Sequence, residues 1–177
     1  MVELINFAFS MKKIKTVKKK YSAKTIAFFL NLFPPLFFNR IIIKKVNNAF
    51  SNLEIVIKYS WMNRNIQKSI FGGTIFCAFD PFFAIMYWQA FSKLNFPMEV
   101  WVKSADINYL KPAKSDLFIN FKIEDTDIQN AINHLKDNYK YEVYHNIKAY
   151  DKTGEAYAEA RILIYIRNSN EFDISHL

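Results

Sequence analysis

Gly72-Gly73 opens an apolar run, Thr74 to Phe91, that holds a single acid, Asp80. Drawn as a helix it is apolar nearly all round, with Ile75, Phe79, Phe82, Phe83, Met86 and Trp88 on different faces. A helix with no polar face has to be enclosed by other elements. Its 18 residues would span roughly 27 Å, and its aromatic content argues for a protein core over a lipid bilayer.

The segments after it supply the enclosure. Met98 to Leu110 alternates imperfectly between apolar and polar residues and stops at Lys111-Pro112. Ser115 to Glu124 alternates cleanly, with Leu117, Ile119, Phe121 and Ile123 on one side. Tyr139 to Tyr150 and Glu155 to Arg167 flank the turn Asp151-Lys152-Thr153-Gly154. A period of two over such lengths predicts strands, and a short Gly-containing turn between two of them predicts a hairpin. Thr126 to Asn138 carries Ile128, Ala131, Ile132 and Leu135 at helical spacing, with Asp125 or Thr126 as cap. Upstream, Leu53 to Trp61 alternates and predicts one more strand, followed by the polar connector 63–69. Lys24 to Phe33 predicts a helix that stops before Pro34-Pro35. One apolar helix and a series of antiparallel strands give an α+β fold in which the sheet curls around the helix.

Charge divides the chain differently. Residues 1–50 hold ten Lys or Arg and one acid, Glu3, a balance of +9. The whole chain is +8, so the remainder is −1. The basic character belongs to an N-terminal arm, residues 1–23. The body spans 24–167 and a tail 168–177. The arm followed by Phe and Leu suits weak contact with a membrane surface. Few aromatics interleave Lys12 to Lys20, and the body is not basic, which disfavours nucleic acid. Cys77 is the one cysteine, so neither a disulfide framework nor a cysteine metal site is expected, and the compartment leans to the cytoplasm. His134, His145 and His176 lack metal-ligand spacing, and no metal or cofactor is expected.

The segments Asn63-Arg64-Asn65, Phe71-Gly72-Gly73, Asp80-Pro81-Phe82, Ile107 to Pro112 and Ile164 to Arg167 together resemble the hotdog-fold acyl-CoA thioesterases. The resemblance is to the phenylacetate-pathway type and to a bacterial domain-of-unknown-function branch, and it covers roughly residues 25 to 167. It implies a hotdog fold, a homodimer or tetramer, and an acyl-CoA or acyl-carrier thioester as substrate. It also implies a site at the subunit boundary. There Asp80 serves as general base or nucleophile, and the N–H groups of Gly73 and Thr74 hold the oxyanion. Asn65 positions water or carbonyl, and Gly72 and Phe71 flank the substrate. Arg64, Lys103, Lys111 and Lys114 are candidates for the coenzyme A phosphates. Two positions depart from the family pattern: Phe71 stands where many members have His, and Lys68 where many have Gly.

Each candidate has a plainer reading as well. A glycine pair is also a turn into a helix, and Asp-Pro is also an N-cap with Pro at the first helical position. A connector Asn is often only a turn residue, and surface Lys or Arg are usually just solvated. Hydrolysis and acyl-thioester binding without turnover are therefore both compatible with the residues.

Overall fold

The structure is a computed structural model that describes residues 21–94, 96 and 98–168. The arm through residue 20 and the tail from 169 lie outside the described residues.

Helix α1, Ala23–Leu32, starts at Ser22, whose Oγ accepts the Thr25 N–H at 3.1 Å. It ends at Phe33 because two prolines follow. Those prolines do not only stop a helix. They begin a second one, α2, Pro34–Phe38, since proline's fixed φ and missing N–H suit a first turn.

Strand β1, Ile41–Val46, pairs with β2, Asn52–Ile57. The sequence pattern did not predict β1. The strand expected over Leu53–Trp61 is also shorter, because Asp116 takes the Tyr59 N–H at 2.9 Å and the Lys58 ammonium at 2.6 Å, which ends pairing there. The outer edge of β1 is covered by α1. Asn31 accepts the Ile43 N–H at 2.7 Å and donates to the Ile43 carbonyl at 3.3 Å, as a neighbouring strand would.

The central rod comprises α3, Gly72–Phe79, and α4, Pro81–Lys93. Asp80 joins them with helical dihedrals, φ −62° and ψ −60°, and its N–H still reaches the Phe76 carbonyl at 3.1 Å. Pro81 removes one helical donor without breaking the rod.

Strands β3, Met98–Tyr109, and β4, Leu117–Lys122, follow the rod. Helix α5, Asp125–Asp137, begins at Glu124, whose N–H is accepted by Asp127 at 2.8 Å, one residue before the expected cap. Strands β5, Lys140–Tyr150, and β6, Ala156–Asn168, form the predicted hairpin, with Gly154 at φ +87°. The sheet is fully antiparallel in the order β1-β2-β4-β5-β6-β3.

One face of this sheet packs on the rod. Leu53, Ile55 and Ile57 of β2 register with Phe121, Ile119 and Leu117 of β4, and all six are buried. Phe121 lies 5.1 Å from the Phe82 ring and 5.0 Å from the Phe83 ring, centroid to centroid. Burying a phenyl ring of this kind stabilises the fold by about 2–3 kcal/mol. The rod is not enclosed on every side, however. Phe76 and Trp88 remain 45% and 43% exposed, and Cys77, Asp80 and Ala84 between them are partly exposed. These positions recur at helical spacing and form one outward stripe. The apolar composition that predicts full burial is met on the sheet side only within a single chain.

Candidate functional site

The glycine pair and the connector before it lie at the tip of α3, and Asp80 lies at its far end. The connector is tied down by Asn63, which is 4% exposed. Its side-chain oxygen accepts the Ser60 N–H at 3.0 Å, and its amide nitrogen donates to the Asn39 and Lys58 carbonyls, both at 2.9 Å. Its backbone carbonyl accepts the Phe71 N–H at 2.8 Å. The Thr74 hydroxyl, buried, donates to the Asn39 side chain at 2.7 Å. Asn39 and Asn63 therefore fix where the helix begins. Neither contact was expected from sequence.

Helix tips present N–H groups without helical acceptors. Among the described residues the Gly72 and Gly73 N–H groups find no acceptor. The Thr74 N–H, expected as an oxyanion donor, is instead bonded to the Phe71 carbonyl at 2.9 Å, so the available pair sits one residue earlier. Both glycines are there for space. A side chain at Gly72 would meet the Tyr109 ring at 3.2 Å, and Tyr109 donates its hydroxyl to the Gly72 carbonyl at 3.0 Å. A side chain at Gly73 would overlap the Phe71 ring, which folds over that residue. Tyr109 thus belongs to the site. The Ile107 to Pro112 segment pointed to its neighbourhood but not to its role.

Asp80 lies seven residues beyond Gly73 on the same face, roughly 10 Å along the axis. Its side chain makes no capping hydrogen bond, so the helix-cap alternative is not realised. Among the described residues no cation pairs with it. Burial pushes its carboxyl above the usual range. The same burial, together with the Asp80 charge, pushes the Cys77 thiol up, which leaves Cys77 a poor nucleophile.

The other candidates have partners that limit them. The Asn65 side chain accepts the Ser69 N–H at 3.1 Å and donates to the Ser69 hydroxyl at 2.9 Å, the arrangement of a turn residue. That turn places Lys68 in the left-handed region, φ 58°. Lys111 pairs with Glu155, and Lys103 pairs with Glu142 at 2.8 Å. Arg64 sits exposed on a bridge to Ile70. Among the described residues no three His, Cys, Asp or Glu side chains are grouped to hold a metal ion. None of the described helices is long and apolar enough to cross a membrane.

Comparison with solved structures places this arrangement among hotdog proteins. A protein of unknown function from Pseudomonas aeruginosa, described as a probable thioesterase, superposes with a TM-score of 0.75 at 15% identity, covering 83% of this chain and 96% of its own. A thioesterase from Haemophilus influenzae gives 0.61 at 10% identity over 85% and 94%. The Escherichia coli PaaI protein of the phenylacetic acid degradation operon gives 0.53 at 13% identity over 79% and 92%. At such identities the likeness establishes the hotdog fold. No curated protein matches by sequence. The family described as Domain of unknown function (DUF4442) matches residues 23–166, and the chain belongs to that family.

Proposed function

We propose that this protein hydrolyses an acyl thioester, carried on coenzyme A or on a carrier protein, as a homodimer or a pair of dimers. The observation that carries the reading is that one helix face holds both the Gly72 and Gly73 N–H groups, which have no acceptor among the described residues, and the partly buried Asp80 carboxylate, which has no cation partner among them.

The chemistry follows from these parts. Asp80 takes a proton from water as the water oxygen bonds to the thioester carbon. The carbonyl oxygen gains the charge and is held by the glycine N–H groups and the positive end of the helix. The C–S bond then breaks, and the thiolate takes the proton back from Asp80. Raised basicity favours the first step.

Gly73 and Asp80 are separated by roughly 10 Å of rise along the axis, before the reach of the Asp80 side chain is counted, and donors and base have to meet at one carbonyl. Donors from one protomer working with the carboxylate of another resolve this. Two features support such pairing: the outer edge of β3, which no strand among the described residues covers, and the outward stripe of the rod with Phe76 and Trp88.

The test is thiol release from a panel of acyl-CoAs. Asp80→Asn is expected to lower kcat by about 10²–10⁴. Undiminished hydrolysis removes Asp80 from the reaction. A second reading, acyl-thioester binding without turnover, is favoured by the Phe71 ring over Gly73, which crowds the donors. Ligand bound by the unaltered protein with no thiol released across the panel selects it.

A further inference from the structure

Helix α1 is turned the wrong way round for a surface helix. Its inner side is Ala23, Ala27, Leu30 and Asn31, against β1 and the core. Its outer side is Phe28, Phe29 and Leu32, which are 60%, 62% and 53% exposed. The ridge continues through Phe33 and into α2, where Phe37 and Phe38 also face outward. A helix normally hides its large apolar residues, and a continuous exposed patch of this kind marks an interaction surface.

The charge in the groove beside the ridge is mainly positive. A groove of about 790 Å³ beside Phe28 is lined by Lys24, Lys44 and Lys45. Lys24 and Lys44 are exposed, and Lys45 meets the only acid of the groove, Glu54, at 3.3 Å. The sequence extends this pattern, since Lys12, Lys13, Lys15, Lys18, Lys19 and Lys20 precede Tyr21. No acid occurs between Glu3 and Glu54.

We propose that α1 and α2, with Lys24, Lys44 and Lys45, form a docking surface for an anionic lipid bilayer. The phenyl rings enter the acyl boundary while the ammonium groups meet the headgroups. A second copy placed face to face would satisfy the rings but would bring two sets of cations together. A nucleic acid would satisfy the cations and leave the ridge in water. An anionic bilayer satisfies both. This inference is independent of the proposed hydrolysis.

The experiment is co-sedimentation of the full chain with phosphatidylcholine vesicles, with and without about 30% phosphatidylglycerol. Binding is expected only to the mixed vesicles and is weakened by high salt. Phe28→Ser with Phe29→Ser is expected to weaken it at least about tenfold, as is Lys24→Gln with Lys44→Gln. Melting temperature and molecular mass by light scattering should be unchanged in both variants. Three results overturn the proposal: protein that stays in the supernatant, binding indifferent to the Phe substitutions, or an oligonucleotide bound in preference to the vesicles. A change of mass in the Phe variant also overturns it, and assigns the ridge to a second copy.

Discussion

The Tyr87 hydroxyl lies 3.0 Å from Nε2 of His145, beneath the sheet and away from the helix tip. Burial raises the Tyr87 pKa, so the hydroxyl keeps its proton while it shares a hydrogen bond with the imidazole. His145 is also stacked on Phe83 at 4.3 Å. Burial lowers its pKa, and the Asp127 charge offsets this in part.

A depressed histidine pKa has a defined sign for stability. Below about pH 6.5 the unfolded chain takes up a proton that the folded chain resists, so stability falls as pH falls through that range. The slope attributable to His145 is at most about 1.4 kcal/mol per pH unit. His145→Gln keeps an acceptor for Tyr87 and cannot titrate. Urea unfolding at several pH values should give a flatter profile for the variant below pH 6.5.

Asp80 predicts the opposite of a cap residue. Removing a capping Asp destabilises by about 1 kcal/mol. Asp80 caps nothing, and its folded pKa is raised, so its charge is a burden above that pKa that vanishes as pH falls below it. Asp80→Asn is therefore expected to leave stability at pH 7 unchanged or to raise it by a few tenths of a kcal/mol, since half-exposure screens the charge. Denaturation midpoints at pH 7 check this separately from activity.

Sharing of the site between protomers can be tested by mixing. Gly73→Val blocks the donors, and Asp80→Asn removes the base. Co-expressed, the two inactive chains form heterodimers with one intact site only if donors and base come from different protomers. About one quarter of unaltered activity is expected after random pairing. No recovery in verified heterodimers places both groups in one chain.

Lys68 holds a left-handed conformation that glycine adopts without strain. Its carbonyl accepts the Tyr59 hydroxyl at 2.7 Å, so the turn itself is fixed from outside. Lys68→Gly should stabilise by about 0.5–1 kcal/mol, the relief of strain exceeding the added freedom of the unfolded chain. The urea midpoint should rise with the slope unchanged.

Much of this was legible in the sequence where one face of an element is wet. Leu117 to Lys122 alternates because its outer face meets solvent, and its strand follows directly. Ile41-Ile42-Ile43 followed by Lys44-Lys45 gives no period, so β1 stayed hidden. Pro34-Pro35 announced an end but not the start of α2. At the site, Gly72 and Gly73 stood out because glycine is required where rings crowd the backbone. Asn39 could not, since its partner Thr74 lies 35 positions away and no local pattern connects them.

Asn39 fastens three segments at once: its amide holds the Pro35 carbonyl at 2.8 Å, its oxygen the Thr74 hydroxyl, and its own carbonyl the Asn63 amide. For anyone trimming this protein, residue 39 is the button on the coat. Shortened versions that begin after it would strip a concealed threonine of its acceptor and a concealed asparagine of one of its two in one cut. The second leading helix, α2, is consequently not a detachable ornament, and a minimal folded fragment has to carry it.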